Sequence, residues 1–216
     1  MIMPAVLQLK VFLTTNNRYD NPGMYRRIQV LDNISFFELH CILQVAIGWE
    51  GIGLHEFKDL FMPDHVICDN YDYPDGAHGT IFNSQEYKIK GYLRHNSLTY
   101  YEYRDEEDYP WLHIVFVEDV LEKIKEKHYP ICLEGKRNWP PENNKGWEGY
   151  HTLVAAMKKR KGKIYDDYTS LYNNLYDPEY FNLVEINNKL LNWRKYAREL
   201  EYIVNCSQKK YKFLPK

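Results

Sequence analysis

The sequence predicts an α+β fold, with a mostly antiparallel sheet, one packed N-terminal helix and a C-terminal layer of about three helices. Two observations predict it. Short segments with strand-like alternation, interrupted by a single amphipathic helix, fill most of residues 1–128, and the pattern becomes helical after residue 150. Strands followed by helices, without regular strand–helix alternation, are typical of the α+β class.

A chain of 216 residues fits one domain, residues 1–216, and is long enough to bury a core without metal or disulfide bonds. Within it we expect the sheet and first helix in residues 1–128 and an ordered loop in 129–150. The helical layer is expected in 151–216, with a frayed C-terminus.

The first helix has the clearest local signals. Ser35 and Glu38 have the S-x-x-E spacing of a capping box, and Gly48 stands where a left-handed C-terminal cap is expected. One face is apolar at helical spacing, through Phe36, Leu39, Leu43 and Ile47. The sequence therefore predicts a helix between Ser35 and Gly48 that packs on the sheet.

Strands are predicted from period-two alternation and flanking turn residues, at 6–13, 25–30, 54–60, 98–103 and 111–117. The first two are expected to form a hairpin. Residues 62–84 are rich in Asp, Asn, Pro and Gly and are expected to form a long excursion with at most one brief strand. Helices are predicted over 150–159, 164–175 and 183–204.

The composition indicates a folded protein and argues against a membrane-spanning or secreted one. A hydrophobic fraction of 44% indicates a folded chain, and no apolar run reaches the 18 or more residues of a membrane helix. The N-terminus lacks the basic flank of a signal peptide, and the four cysteines are scattered without a C-x-x-C pair. We therefore predict a cytoplasmic protein with no membrane partner.

Charge is unevenly distributed. Residues 1–150 hold 15 Lys and Arg against 23 Asp and Glu, whereas residues 151–216 hold 13 against 7. Five cations cluster in six residues: Lys158, Lys159, Arg160, Lys161 and Lys163. Such a patch is a candidate contact for nucleic-acid phosphates, and the alternative is a solvated face of a polar helical tail.

A second candidate is a polar cluster that could line a ligand cleft. Its members are His55, Glu56, Trp111, His113, Arg137 and Glu142. Converging His, Glu and Arg side chains could perform acid–base chemistry or hold a hydrated metal ion. Alternatively they are structural, with the histidines joining strand to loop and the charged pair holding an irregular loop. Successive strand residues point to opposite faces, so His55 and Glu56 can share a cleft only across a bulge.

Residues 129–150 contain too much Pro and Gly for regular structure and too many aromatic residues for a mobile linker. With Trp139 and Trp147 this segment could be a surface for a protein partner, or a buried lid over one end of the sheet. No P-loop, G-x-G-x-x-G, G-x-S-x-G or H-E-x-x-H motif occurs. No catalytic residue, cofactor or metal site is therefore predicted.

Several ordered motifs together resemble a family named after the third open reading frame of a pRiA-type plasmid. Its members are also described as TnpR-like passenger proteins of insertion elements. The matching motifs are YRRIQV (25–30), FxELHxILQVAIGW (36–49), LHEF (54–57), WxH (111–113), YPxCLxGKR (129–137), PPE (140–142), GY (149–150) and DPEYFNLVEINNKL (177–190). The resemblance implies an intracellular α+β domain without an agreed biochemical activity.

The sequence departs from that pattern at two places. Relatives often read Y-D-F-G-D-x-W where residues 103–111 read YRDEEDYPW, and often carry a cysteine where Trp139 stands. Only Cys132 remains of that cysteine set, so no thiolate metal site is expected here. We predict an accessory protein of mobile elements or plasmids that acts by binding a nucleic acid or protein. The alternative is a small-molecule or metal-assisted enzyme that uses the His/Arg/Glu cleft.

Overall fold

The computed structural model describes residues 4–15, 23–59, 62, 64–68, 79–171 and 176–211. The strands are β1 (Val6–Thr14), β2 (Tyr25–Leu31), β3 (Leu54–Asp59), β4 (His65–Cys68), β5 (Thr80–Asn83), β6 (Leu98–Arg104), β7 (Pro110–Leu121) and β8 (Ile131–Lys136). The helices are α1 (Phe36–Ile47), α2 (Gly146–Lys159), α3 (Lys163–Leu171), α4 (Leu183–Leu190) and α5 (Trp193–Tyr211). The α+β prediction is confirmed.

The strands form one sheet in the order β5-β4-β3-β6-β7-β1-β2-β8. Neighbours are antiparallel except β4 and β5, which are parallel. The predicted hairpin of β1 and β2 is present, with Leu9 opposite Ile28. The sheet therefore places the N-terminal hairpin beside the tyrosine-rich strands β6 and β7, which come much later in the chain.

Alternation along the strands gives the sheet a buried inner face. In β7, Trp111, His113 and Val115 are fully buried, whereas Leu112 and Phe116 on the opposite face are half-buried. One contiguous core joins this inner face to α1 and to the first half of α5. The core therefore spans both halves of the chain.

Helix α1 forms as its local signals predict. The Ser35 side chain accepts from the Glu38 amide at 3.1 Å, and the Glu38 carboxylate accepts from the Ser35 amide at 2.8 Å. Gly48 ends the helix with φ 95°, a left-handed conformation that glycine adopts without strain. Ten of the twelve residues of α1 are buried, including Leu39 and Leu43, so nearly the whole helix faces protein.

Strand β8 lies inside the segment predicted as an ordered loop. Its partner β2 is about a hundred residues earlier, so no local pattern marks it, and Gly135 lies where a Cβ would meet the Tyr25 carbonyl at 2.9 Å. The excursion 62–84 likewise holds two short strands, β4 and β5, where at most one was expected. Residues 69–78 of that excursion lie outside the described residues.

Among its described residues, the C-terminal layer contains four helices where about three were expected, because the predicted helix 183–204 is divided into α4 and α5. Both helices pack on α1, and α4 also contacts β8. Asn187 of α4 lies against β8, where its side chain accepts from the Cys132 amide at 2.8 Å and donates to the Cys132 carbonyl at 3.0 Å. In the described part of the chain, no helix has the length and apolar composition needed to cross a bilayer.

Candidate functional site

The structure places the six residues of the predicted polar cleft in different surroundings. The two on β3 separate as strand geometry requires: His55 is buried on the inner face, and Glu56 forms an ion pair with Lys58 on the outer face. The His55 ring stacks on His40 of α1, with ring centroids 3.9 Å apart. His55 is therefore part of the contact between α1 and the sheet.

His113 is held as a neutral ring. Its Nε2 accepts from the Trp139 indole N–H at 3.1 Å, and its Nδ1 faces the Tyr101 carbonyl at 3.2 Å. Because an indole can only donate and a carbonyl can only accept, the proton must be on Nδ1. Burial lowers the pKa of His113 to about 3. Both ring nitrogens are thus used in joining β7 to its neighbours.

His40, like His113, is buried and hydrogen-bonded to protein groups. The Tyr101 hydroxyl accepts from the Gln44 amide at 2.6 Å and is hydrogen-bonded to His40 Nδ1 at 2.7 Å. Burial, and next the neighbouring His55, hold the pKa of His40 well below its ordinary value. This network is buried and mutually hydrogen-bonded.

The side chains of Trp111 and Glu142 are also hydrogen-bonded to protein groups. The Trp111 indole is fully buried and donates to Asp105 at 3.3 Å. Glu142 accepts from the amides of Glu50 at 2.5 Å and Gly51 at 3.0 Å, and from the Tyr103 hydroxyl. Glu142 therefore holds the turn after α1 against β6.

Trp139 and Trp147 of residues 129–150, predicted either as a surface for a protein partner or as a buried lid, are buried to different degrees. Trp139 is 2% exposed and stacks beside His113. Trp147 is half-buried and contacts Trp111 with centroids 5.6 Å apart. Among the described residues, no group of three or more His, Cys, Asp or Glu side chains has the geometry to hold a metal ion.

The basic cluster is exposed on the turn that joins α2 to α3. Helix α2 ends at Lys159, and Arg160 and Gly162 have φ 50° and 97°. The exposed side chains are Lys158, Lys159, Arg160, Lys161 and Lys163. In the part of the chain that the structure describes, none of the five forms an ion pair with an acidic residue. We call residues 158–163 the basic turn.

A groove of about 650 Å³ adjoins the basic turn, between α2, α3 and residues 176–179. Its lining includes Lys158, Arg160, Arg137 and the ring of Tyr165. Arg137, the remaining member of the predicted cleft, donates to Glu179 through Nε at 2.9 Å and Nη2 at 2.8 Å. The groove thus combines cations with a half-buried aromatic ring, beside the acidic side chains of Asp177 and Glu179.

Comparison with known proteins settles the family. The profile described as "Plasmid pRiA4b ORF-3-like protein" matches residues 5–185. The chain belongs to this family. A relative, uncharacterized protein y4hQ of Sinorhizobium fredii (strain NBRC 101917 / NGR234), is 24% identical over 160 residues, which are 72% of this chain and 75% of the relative.

A solved structure shares the fold of this pRiA4b ORF-3-like chain. It is the crystal structure of a protein of unknown function, MM3350 from Methanosarcina mazei Go1, at 28% identity and TM-score 0.71. The match covers 85% of this chain and 97% of that one. The predicted family resemblance is confirmed, and the basic turn and groove lie within the matched residues.

The structure also shows a buried charge that the sequence interpretation missed. Arg26 of β2 is 3% exposed, on the same inner face as Ile28 and Val30. A signal was present, since period-two alternation in YRRIQV places Arg26 among apolar positions. An arginine on the apolar face of a strand needs a specific reason to be buried.

Proposed function

We propose that this pRiA4b ORF-3-like protein is a cytoplasmic nucleic-acid-binding protein that acts through the basic turn, by binding and not by catalysis. The observation that carries the proposal is the exposure of five cations within six residues, none paired with an acidic side chain of the described residues. Unpaired cations on a surface are free to neutralise phosphates and release counterions.

The groove beside the turn supports a single-stranded partner. Tyr165 is partly exposed in its wall, and an aromatic ring beside cations can stack on an unpaired base. Glu179 opposes this attraction, but its carboxylate is engaged by Arg137. Single strands therefore fit the groove better than a duplex, whose bases are already stacked.

The distribution of charge supports one orientation of the partner. Residues 1–150 hold a net charge of −8 and residues 151–216 a net charge of +6. A polyanion is attracted to the C-terminal layer and repelled by the body. The basic turn projects from that layer, so it is the expected first contact.

The test compares two triple variants with the same loss of charge. One removes cations of the basic turn, and the control removes cations elsewhere on the surface. They are Lys158→Gln with Lys161→Gln and Lys163→Gln, and Lys123→Gln with Lys125→Gln and Lys136→Gln. Binding to labelled single-stranded and duplex DNA is followed by fluorescence anisotropy across a salt series.

The expected result is a loss of single-strand affinity of at least about tenfold for the basic-turn variant at low salt. The magnitude of the negative slope of log K against log salt should decrease by about 2, since each of the three lost phosphate contacts contributes about 0.7. The control should bind like the unmodified protein. No binding by the unmodified protein at low salt, or equal losses in the two variants, would overturn the proposal.

A further inference from the structure

A second cavity lies away from the basic turn, where the C-terminus of α1 meets residues 138–143 and 176–189. Its volume of about 490 Å³ is within the range of small-molecule sites. Aromatic rings of Trp49, Trp139, Tyr176 and Phe181 form part of its wall, and Arg26 lines it. The cavity therefore joins apolar rings to one deeply buried cation.

Arg26 is held in a fixed orientation. Its guanidinium carbon lies over two rings, 4.6 Å from the centroid of Trp139 and 4.8 Å from that of Phe181. Its Nε donates to the carbonyl of Ala46 at 3.3 Å. A planar guanidinium that packs on aromatic rings can still present the N–H groups of its edge to a ligand.

The hydrogen bonds of Arg26 leave part of that edge unused. Nη1 donates to the carbonyls of Tyr25 at 2.9 Å and Lys136 at 3.2 Å. Every acceptor is a neutral carbonyl, and within the described ranges no carboxylate pairs with Arg26 and no acceptor is found for Nη2. Burial lowers the pKa of Arg26 to about 10, which still leaves the side chain charged at neutral pH. A buried charge without a counter-ion is costly to a fold.

The acidic groups around the cavity do not neutralise this charge. Glu142 accepts from the amides of Glu50 and Gly51, and Glu185 is bonded to Lys189 at 2.7 Å. The side chain of Glu50 is exposed at the rim. These carboxylates are satisfied elsewhere or solvated, so the guanidinium is the unmatched charge of the wall.

We propose that this cavity binds a small molecule carrying an oxyanion, a carboxylate or a phosphate, through the free edge of Arg26, with an apolar ring against the aromatic wall. A guanidinium edge matches the oxygens of either anion. The site is separate from the basic turn and does not depend on nucleic-acid binding. A volume of about 490 Å³ is suited to a small acid.

The test uses nuclear magnetic resonance of the unmodified protein, because the chain carries five tryptophans whose indole N–H signals report locally. Trp49 and Trp139 line the cavity, whereas Trp111, Trp147 and Trp193 do not. Sodium benzoate and inorganic phosphate are each titrated, with neutral benzamide as the matched control for benzoate.

Saturable shifts of the Trp49 and Trp139 signals with benzoate, phosphate or both are expected, and the tighter anion identifies the chemical class. Benzamide should bind at least tenfold more weakly than benzoate. Equal binding of benzamide, equal shifts at all five indoles, or no shift with either anion would overturn the proposal.

A variant adds a second test of the role of Arg26. Arg26→Lys keeps the charge but lacks the planar edge, so affinity for the bound anion should fall at least tenfold. Unchanged affinity in a folded Arg26→Lys protein would overturn the assignment. If that variant does not fold, the titrations of the unmodified protein still decide the proposal.

Discussion

The buried interior around the sheet and the exposed basic turn both contain polar side chains, but they differ in whether those side chains have partners. His113 and Glu142 resemble catalytic residues in the sequence, yet each is hydrogen-bonded to protein groups and buried or half-buried. Lys161 and its neighbours resemble an ordinary solvated helix end, yet they carry charge with no acidic partner in the described structure. The difference shows that an unmatched charge, more than a reactive residue type, marks a candidate site in this protein.

The largest expected effect comes from removing a ring on the inner face. Trp111→Ala should lower the free energy of unfolding by about 3–5 kcal/mol, because Trp111 is fully buried and the structure cannot close the resulting cavity. Urea denaturation measures the change. Tyr202→Ala, at a side chain that is 71% exposed, is the control and should change it by less than about 0.5 kcal/mol. Similar costs for the two variants would remove the contrast between interior and surface.

Acid should destabilise the protein through the buried histidines. The pKa of His113 falls from 6.5 to about 3 on folding, and that of His40 is also lowered. The unfolded chain therefore binds more protons below pH 6.5, and the free energy of unfolding falls as pH decreases toward 3. His113→Gln should reduce this slope by about 1.4 kcal/mol per pH unit between roughly pH 6 and 4.

The exposed His151 provides the control for that measurement, since His151→Gln removes a histidine outside the core. Urea denaturation at several pH values should give the unmodified slope for the control and a shallower slope for His113→Gln. A slope that is identical in all three proteins would show that His113 does not resist protonation.

A smaller loss is expected where α4 meets the sheet. Asn187→Ala removes both hydrogen bonds to the Cys132 backbone and should lower the free energy of unfolding by about 1–3 kcal/mol. Asn188→Ala changes the exposed neighbouring residue and should have little effect on stability. Equal stabilities of the two variants in thermal unfolding would mean that solvent replaces the Asn187 amide without cost.

The smallest effect on stability is expected at the basic turn. Lys161→Gln should change the free energy of unfolding by less than about 0.5 kcal/mol, because the side chain is exposed and forms no ion pair with a described residue. Its effect should appear in nucleic-acid binding, as a decrease of about 0.7 in the salt slope. A stability loss comparable to that of Asn187→Ala would mean that Lys161 contributes to holding the fold together.

Much of the fold could be predicted because its signals are local. Ser35, Glu38 and Gly48 define α1 within fourteen residues, and the structure forms the same caps. Strand β8 could not be predicted this way, since it forms by pairing with β2 across a long stretch of chain. The break between α4 and α5 was missed for a related reason: Asn187 binds the edge of β8, a contact that helical spacing does not encode.

The candidate sites show the same distinction between local sequence signals and contacts that form only in the folded chain. Exposure of the basic turn follows from its composition, and the structure shows its five cationic side chains exposed. The unmatched charge of Arg26 depends on rings from Trp139 and Phe181, which approach it only in the folded chain. The six polar residues proposed as a cleft are dispersed because β3 places His55 and Glu56 on opposite faces and because Arg137 pairs with Glu179.

The amide of Asn187 also affects how molecules of this protein can associate. Strand β8 ends the sheet, and an uncovered terminal strand offers a template on which a strand of another molecule can add and aggregation can begin. By occupying both backbone groups of Cys132, a single side chain interrupts that template in its interior. At the other end of the sheet, β5 is only four residues long, which leaves an incoming strand little to pair with.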